Sequence, residues 1–208
     1  LLVEATFTAS PGEIVAIVGN NGCGKTSLLH VIAGLYRLDA GRLAFNQEPW
    51  DDRADKRWQP ADERRVGMVF QQDRLFPHLT AAQNVAFGLR ARGKPKHAAR
   101  TAAIAALESV DLAGLADDRP GDLSGGQRQR VALARAMVTE PTVLLLDEPF
   151  ASVDTGAQAG LRALVRHAAA PIRILVTHDP VDLHALADRV MTMERRRRDD
   201  QWVTTLQA

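Results

Sequence analysis

The residues with the clearest chemical potential form one glycine-rich segment, Gly19-Asn20-Asn21-Gly22-Cys23-Gly24-Lys25-Thr26. It fits the pattern G-x-x-x-x-G-K-[ST], in which backbone N–H groups turn toward phosphate oxygens, the lysine reaches the β- and γ-phosphates and the hydroxyl ligates Mg²⁺. A β-branched apolar run precedes the segment, and apolar residues at helical spacing follow it. Strand, glycine loop and helix place a helix N-terminus against an anion, so the chain is predicted to bind a nucleoside triphosphate.

A second segment is also suited to an anion. Ser124 is a natural N-cap, and Gly125 and Gly126 let another body approach the backbone closely. An apolar helical stretch follows Gln127 and its neighbours. The residues alone do not exclude that both segments serve one nucleotide within a monomer.

Two acidic residues follow a strand of the buried type. The apolar run Val143-Leu144-Leu145-Leu146 leads directly into Asp147 and Glu148. An acid at the end of such a strand can hold Mg²⁺ through water, and the next carboxylate can orient or deprotonate a water. We therefore predict a metal-binding role for Asp147 and a general-base role for Glu148.

Together these features resemble the ATPase domains of ABC transporters. Leu-Ser-Gly-Gly-Gln at 123–127, followed by an apolar strand and Asp-Glu, is the pattern of that family, and P-loop kinases and GTPases lack it. Three further positions match the family: Gln71 after an apolar strand, Ser152-Val153-Asp154 after the acidic pair, and His178 after the next strand. The resemblance covers nearly the whole chain.

The resemblance implies a role for each matching residue. The loop from Gly19 to Thr26, with Ser27, would cradle the phosphates of ATP. Thr26, Gln71 and Asp147 would surround Mg²⁺. Glu148 would be the general base, and His178 would contact the γ-phosphate and the attacking water.

The same resemblance implies a dimer. In the family two ATPase subunits pair head to tail, and ATP lies between the phosphate loop of one subunit and the LSGGQ segment of the other. Ser124, Gly125, Gly126 and Gln127 would therefore act on a nucleotide held by the second subunit. Asp154 would shape the dimer contact.

Alternating strands and helices predict an α/β fold. We expect a P-loop NTPase core with a mostly parallel sheet, a small N-terminal antiparallel β part and a helical subdomain that carries the LSGGQ signature. Residues 1–208 are predicted to form a single ABC-type ATPase domain, with its core in 1–71 and 141–208. The helical subdomain would span 72–140 and swing relative to the core, with Gln71 at one hinge.

Within these parts some segments are more definite. The clearest helices are predicted at 98–110 and 125–139. The polar stretch 40–65 is expected to form an exposed hairpin and loop. The segment 195–200, with four arginines followed by Asp199 and Asp200, is expected to form a solvated turn. Contact of the four arginines with anionic lipid is the alternative.

Composition bounds the function. The chain has 208 residues and a net charge of +1, so bulk electrostatics give no case for nucleic-acid binding. No apolar run approaches the roughly 20 residues of a membrane span, and no signal peptide is evident. Beginning at Leu1 rather than Met is expected of a fragment or trimmed chain. We expect a peripheral protein on the cytoplasmic face of the cell membrane, where a partner supplies the membrane-spanning part.

The single cysteine and one aromatic residue leave alternatives open. Cys23 excludes an internal disulfide, and it is either a reactive thiol near a helix start or a buried, inert one. The family stacks adenine on an aromatic residue ahead of the first strand. No residue of the printed chain lies in that place, and Phe7 is expected to belong to the core.

The segment after Gln71 indicates the class of transporter to which the ATPase belongs. Phe76-Pro77-His78-Leu79-Thr80 and the Asn84 segment resemble ATPases of bacterial solute importers, where this surface receives a helix of the membrane permease. The alternative for the apolar side chains is plain core packing. With Glu63-Arg-Arg-Val-Gly67, the segment is most similar to molybdate and other oxyanion importers, and sulfate, iron, thiamine or polyamines stay open. Such importers work with a solute-binding protein.

An exporter or another non-import ABC system is the alternative function. The segment Arg119-Pro-Gly-Asp122 before the signature lacks the Glu-rich run that is typical of exporters. The paired subunit would be a second copy or a related ATPase.

Overall fold

The structure is a computed structural model that describes residues 2–198 and 201–207. Its strands are β1 Leu2–Glu4, β2 Ile14–Gly19, β3 Arg42–Phe45, β4 Glu48–Asp52, β5 Arg57–Trp58, β6 Val66–Val69, β7 Val143–Asp147, β8 Ile172–Val176, β9 Arg189–Arg198 and β10 Gln201–Gln207. Its α-helices are α1 Lys25–Ala33, α2 Ala81–Ala91, α3 Lys96–Glu108, α4 Gly125–Met137, α5 Thr155–Arg166 and α6 Pro180–Leu186. Short 3₁₀ turns lie at Ala113–Leu115 and Pro120–Asp122.

A seven-stranded sheet carries the fold, in the order β1-β10-β9-β2-β8-β7-β6. All its neighbours are parallel except β9 and β10, which form an antiparallel pair. Strands β3, β4 and β5 form a separate antiparallel sheet. The predicted α/β fold with a mostly parallel sheet and a small antiparallel part is confirmed.

The main sheet is covered on both faces, as a parallel sheet requires. Strand β7 shows this directly, because Leu144 and Leu146 pack into one buried cluster while Val143 and Leu145 pack into another. The first cluster contains side chains of α2 to α5, and the second contains side chains of α1 and the small sheet. An apolar run without alternation therefore fits a strand buried on both sides.

Three helices, α2 to α4, lie between β6 and β7 in the chain and supply the helical part predicted there. Two of them begin with a complete capping box, Thr80 with Gln83 at α2 and Ser124 with Gln127 at α4. In each box a side-chain hydroxyl and a side-chain amide satisfy backbone groups that the first turn leaves unpaired. Helix α3 begins after Pro95, so the predicted 98–110 is displaced by two residues.

The expectation of an exposed hairpin and loop at 40–65 is wrong in part. Strands β3 to β5 form a three-stranded sheet, and Trp50, Asp51 and Asp52 on β4 are buried. Arg64 is also buried, and its guanidinium donates to the carbonyl oxygens of Val31, Ile32, Gln59 and Trp50. Polar composition misleads here because these polar side chains bind buried backbone groups instead of water.

The solvated turn expected at 195–200 is wrong for the four arginines at 195–198. These four arginines belong to β9 and pair with β10, from Arg195 opposite Thr204 to Arg198 opposite Gln201. The guanidinium of Arg195 lies over the ring of Trp202, 4.7 Å from its centroid. Cross-strand partners of this kind keep a charged run in a strand. Asp199 and Asp200 lie outside the described residues.

Candidate functional site

The candidate site lies where four parallel strands end side by side. Strand β2 leads into the glycine loop, β6 into Gln71, β7 into Glu148 and β8 into His178. Because these strands are parallel neighbours, their carboxyl ends share one edge of the sheet. That edge is where ligands bind in open α/β sheets.

The glycine loop folds as a cradle in front of α1. Gly24 is the N-cap, with φ 105°, which places it in the left-handed region that favours glycine. A Cβ on Gly19 would lie 2.4 Å from the carbonyl oxygen of Met193, so only glycine fits there. Lys25 folds back over the loop, and its Nζ donates to the carbonyl oxygens of Gly19 at 2.7 Å and Asn20 at 3.1 Å. The first-turn amides of α1 have no intrahelical acceptor and can bind an anion.

A polar cavity of about 440 Å³ opens beside this loop. It is lined by Asn21, Gly22, Gly24, Lys25, Thr26, Ser27, Gln71, Asp147, Glu148 and Val176. Of the predicted loop residues, Gly19, Asn20 and Cys23 do not line it. The sequence-predicted metal ligands and the predicted base therefore meet at one cavity.

The donor set at this cavity fits Mg²⁺. The hydroxyl of Thr26 donates to Oδ2 of Asp147 at 2.7 Å, and Asp147 is buried while Thr26 is exposed. Mg²⁺ prefers oxygen ligands and is ordinarily held by one or two carboxylates together with substrate phosphates. Such a site needs no dedicated protein cage. Among the described residues no group of three or more His, Cys, Asp or Glu side chains could hold a metal.

Glu148 has an unusual backbone conformation. Its φ is 48°, in the left-handed region, although it is not glycine. Such a conformation costs on the order of 1–3 kcal/mol and persists only where the surroundings fix it. Here the backbone N–H of Glu148 donates to the carbonyl oxygen of Val176 at 2.9 Å, which ties the end of β7 to the end of β8.

The same geometry brings Glu148 to His178. Its Oε1 lies 2.8 Å from Nδ1 of His178. The hydrogen bond and the negative charge of Glu148 both raise the pKa of His178 above its ordinary value. This contact contributes stability that is fully present below the unfolded-state pKa and is lost as the pH rises through the higher folded-state pKa. The His178 side chain is 80% exposed, so the stability contribution is small.

We predict that Glu148→Gln lowers the pKa of His178, because the amide keeps the shape but removes the charge that stabilises the imidazolium. An NMR titration of the His178 ring in both proteins measures the shift. Glu108→Gln, an exposed change on α3, is the control and should leave the His178 titration unchanged. Identical His178 titrations in wild type and Glu148→Gln would contradict the contact.

The LSGGQ residues lie apart from the cavity. Ser124, Gly125, Gly126 and Gln127 begin α4 and are absent from the cavity lining. A Cβ on Gly126 would lie 2.9 Å from the carbonyl oxygen of Ser152, so the signature packs against the segment after Glu148. The structure thus does not bring both anion-ready helix starts to one cavity within a chain.

Asp154 is also away from the cavity. It is the exposed N-cap of α5, and its side chain makes no capping hydrogen bond. Its backbone carbonyl accepts instead from the N–H groups of Ala157 and Gln158.

Sequence reasoning missed the residues that join the segment after Gln71 to α4. Arg128 donates from Nε to Oδ2 of Asp73 at 2.8 Å, and Arg135 donates to the backbone carbonyl oxygens of Asp73 and Arg74. Arg135 also lies over the ring of Phe76 at 5.8 Å. The only sequence signal was that Arg128 and Arg135 lie seven residues apart, on the same face of α4. A face exposed to solvent would show the same spacing.

The alternative of a buried thiol describes Cys23. The residue is 1% exposed and packs in the cluster that contains Ile17 and Leu29. Its backbone N–H donates to the carbonyl oxygen of Asn20 at 3.3 Å. Phe7 is partly buried against the same cluster, as expected of a core residue.

A family model described as "ABC transporter" matches residues 2–151. The chain is 43% identical over 199 residues to the molybdenum import ATP-binding protein ModC of Mycobacterium tuberculosis, covering 92% of this chain and 54% of that protein. It is 45% identical to the sulfate/thiosulfate import ATP-binding protein CysA of Gloeobacter violaceus, covering 94% and 56%. It is 42% identical to the Fe(3+) ions import ATP-binding protein FbpC of Agrobacterium fabrum, covering 92% and 53%. The chain spans about half the length of these relatives.

A solved structure gives the same answer for the fold. The ATP-binding cassette MJ0796, in a dimeric post-hydrolysis state bound to ADP and Pi, is 29% identical with a TM-score of 0.80. The match covers 89% of this chain and 83% of that one. In residues 2–198 and 201–207 no helix has the length and apolar character needed to cross a membrane. The chain therefore belongs to the ABC transporter family, as an ATPase domain of that family.

Proposed function

We propose that this chain is the ATP-hydrolysing subunit of an ABC solute importer and works as a dimer on a separate membrane permease. One observation carries the proposal. Thr26, Asp147 and Glu148 line a single cavity in front of the glycine loop, where Thr26 is hydrogen-bonded to Asp147. Glu148 is also paired with His178, which is not among the lining residues. A metal-ligand pair and a base paired to histidine, set against an anion-binding helix start, suit the transfer of a phosphoryl group to water.

The residues of the candidate site would divide the work of hydrolysis. The loop 19–27 would hold the phosphates through backbone N–H groups and the Lys25 ammonium. Thr26, Asp147 and Gln71 would hold Mg²⁺, which neutralises charge on the phosphates. Glu148 would orient a water and accept its proton, and His178 would hold that carboxylate in place.

The proposed dimer rests on the position of the LSGGQ helix start. The LSGGQ helix start of the same chain lies outside the cavity lining, although it is equally suited to an anion. A second subunit in head-to-tail arrangement would supply that helix start. The dimeric cassette MJ0796 supports this arrangement by its similarity. We propose that Ser124 to Gln127 and Asp154 act across the dimer, with a second copy or a related ATPase as the partner.

An aromatic patch supports a permease partner. The rings of Phe76 and Phe87 lie 4.5 Å apart, and Phe87 is 47% exposed. The buried side chain of Asn84 accepts from the N–H of Phe76 and donates to the carbonyl oxygens of Phe76, Leu79 and Thr80. These hydrogen bonds hold the loop 76–80 in one conformation, in which apolar side chains stay partly exposed. We propose that a helix of a membrane permease docks there and holds the chain at the cytoplasmic face of the membrane.

For the solute we propose an oxyanion, molybdate first. ModC and CysA are named for molybdenum and for sulfate or thiosulfate, whereas FbpC is named for Fe(3+). The choice rests on the sequence similarity alone, because an ATPase of this kind does not touch the solute. A solute-binding protein outside the membrane would deliver it.

Co-purification tests the proposal. The tagged chain, expressed in its organism of origin and extracted in mild detergent, should carry a multi-spanning permease identified by mass spectrometry. The complex in liposomes should hydrolyse ATP faster when a molybdate-loaded binding protein is added on the outer side. Sulfate and Fe³⁺ are run in parallel to assign the solute.

A matched pair of variants tests the docking surface. Phe87→Ser should lower recovery of the permease while the isolated chain still hydrolyses ATP. Val190→Ser changes a similarly exposed apolar residue on β9 and should leave recovery of the permease unchanged.

Recovery of a membrane protein that moves solute outward would replace the importer with an exporter.

A further inference from the structure

A mostly buried arginine side chain lies at the middle of α5. The side chain of Arg162 is 11% exposed and that of its partner Asp182 is 4% exposed. We propose that Arg162 is a positioning residue for ATP hydrolysis, which holds the His178 segment and the segment after Glu148 in one fixed relation. The proposal rests on the proposed hydrolytic function of this site.

One arm of the network reaches the His178 segment. Nε of Arg162 donates to Oδ1 of Asp182 at 2.6 Å. The other carboxylate oxygen, Oδ2, accepts from the hydroxyl of Thr177 at 2.8 Å. That hydroxyl also accepts from the backbone N–H of Asp179 at 3.1 Å, so hydrogen bonds bracket His178 from the residue before it and the residue after it.

The second arm reaches the segment after Glu148. Nη2 of Arg162 donates to Oε1 of Gln158 at 2.9 Å. Nε2 of Gln158 then donates to the backbone carbonyl oxygens of Phe150 at 3.2 Å and Val153 at 3.0 Å. The guanidinium also lies over the ring of Phe150, 5.6 Å from its centroid. This is the segment against which Gly126 of the signature packs.

The His178 ring itself cannot account for its position. Its side chain is 80% exposed and contacts Glu148 through Nδ1. The ring must therefore be placed by the backbone on either side, which the Thr177 and Asp179 bonds fix. A planar guanidinium suits this work, because its donors point in fixed directions and it can bind two acceptors at once.

The network should affect the reaction step more than nucleotide binding. Neither Arg162 nor its partners line the phosphate cavity. Loss of the network would displace His178 and Glu148 without touching Lys25 or the loop amides. A misplacement of about 1 Å at a distance from the reacting atoms can cost about 10²-fold in rate.

The test compares the wild-type chain with Arg162→Met, Arg162→Lys and a control variant on the same helix. Arg162→Met should lower kcat about ten- to a hundredfold while KM for ATP changes by less than about twofold. Arg162→Lys keeps a positive charge beside Asp182, but lysine cannot also bind Gln158. Its kcat should therefore lie between that of the wild type and that of Arg162→Met. Arg166→Met removes an arginine one turn later that binds Leu186 and Asp188, and it should leave kcat unchanged.

A second readout separates this proposal from the proposed function. The NMR resonances of the His178 ring at one fixed pH should shift in Arg162→Met and not in Arg166→Met. Thr177→Val, which removes only the hydroxyl, should shift them in the same direction and serves if Arg162→Met does not fold. A wild type that does not hydrolyse ATP overturns the proposed function, and the histidine resonances still decide whether Arg162 positions His178.

Two results would overturn the positioning role. One is wild-type kcat together with unshifted His178 resonances in Arg162→Met. The other is an equal loss of kcat and of melting temperature in Arg162→Met and Arg166→Met, which would mean that any arginine of α5 acts only through stability.

Discussion

Glu148→Gln is expected to lower kcat for ATP hydrolysis about 10²–10⁴-fold, because the amide cannot accept the proton of the attacking water. The substitution preserves size and the ability to hydrogen bond to His178. Lys25, the loop amides and the Thr26–Asp147 pair are untouched, so MgATP binding should persist. ATP that binds without being hydrolysed should then accumulate as an ATP-bound dimer, which light scattering with MgATP would detect.

A matched control is available for this variant. Glu140 is a second glutamate in the left-handed region, with φ 49° against 48° for Glu148, but it is exposed and does not line the cavity. Glu140→Gln makes the same chemical change on the same kind of backbone and should keep wild-type kcat. If Glu148→Gln turns over at the wild-type rate, Glu148 is not the base.

The elements that carry the cavity could be predicted from local patterns. An apolar run before the glycine loop, a second one before Asp147 and a third before His178 each gave a strand, and the structure has β2, β7 and β8 there. Parallel strands put their carboxyl ends on one edge, so the polar residues that follow them meet. Local residue spacing, together with the rule that parallel strands end on one edge of the sheet, was sufficient to predict that the cavity residues meet.

Contacts between distant side chains could not be predicted in that way. Arg64 looked like part of a polar loop, yet it is buried against the carboxyl end of α1, more than thirty positions earlier in the chain. Arg162 lies on the amphipathic helix α5 and binds Asp182 on the next helix, a contact that no local pattern indicates. In both cases the partner is set by how the elements pack.

The arginines at 195–198 show the same limit at the level of secondary structure. A run of like charges favours a solvated turn by self-repulsion, and that was the expectation. Pairing with β10 and contacts such as Arg195 over Trp202 and Arg198 with Glu4 hold them in a strand. Tertiary partners override local propensity here, because β9 lies between β10 and β2 in the sheet.

Gly125→Asp is expected to abolish ATP-dependent dimerisation and to lower hydrolysis at least about 10²-fold, the usual effect of losing a group that stabilises charge in the transition state. A carboxylate at the start of α4 would repel the γ-phosphate of a nucleotide held by the other subunit. ATP binding by the isolated subunit should persist, because the cavity beside Lys25 is not lined by this residue.

Gly125 is a better position for this substitution than Ser124 or Gly126, because a side chain there disturbs the fold least. A Cβ there has only ordinary contacts, 3.8 Å from Nη2 of Arg128 and 4.0 Å from Cβ of Ser152. A Cβ on Gly126 would instead clash with the Ser152 carbonyl within the same chain, and replacing Ser124 would remove a helix cap worth about 1 kcal/mol. An acidic residue in the first turn also suits the helix dipole, so the fold should be retained.

Light scattering of Gly125→Asp in the Glu148→Gln background, with and without MgATP, measures dimerisation, and steady-state assays of the single variant measure hydrolysis. Gly160→Asp adds the same carboxylate to α5, at a position with open space around its Cβ, and should dimerise and hydrolyse ATP like the parent protein. If Gly125→Asp hydrolyses ATP at the wild-type rate as a dilute monomer, the signature does not act across subunits. The second helix start would then need another ligand, because within one chain it lies outside the phosphate cavity.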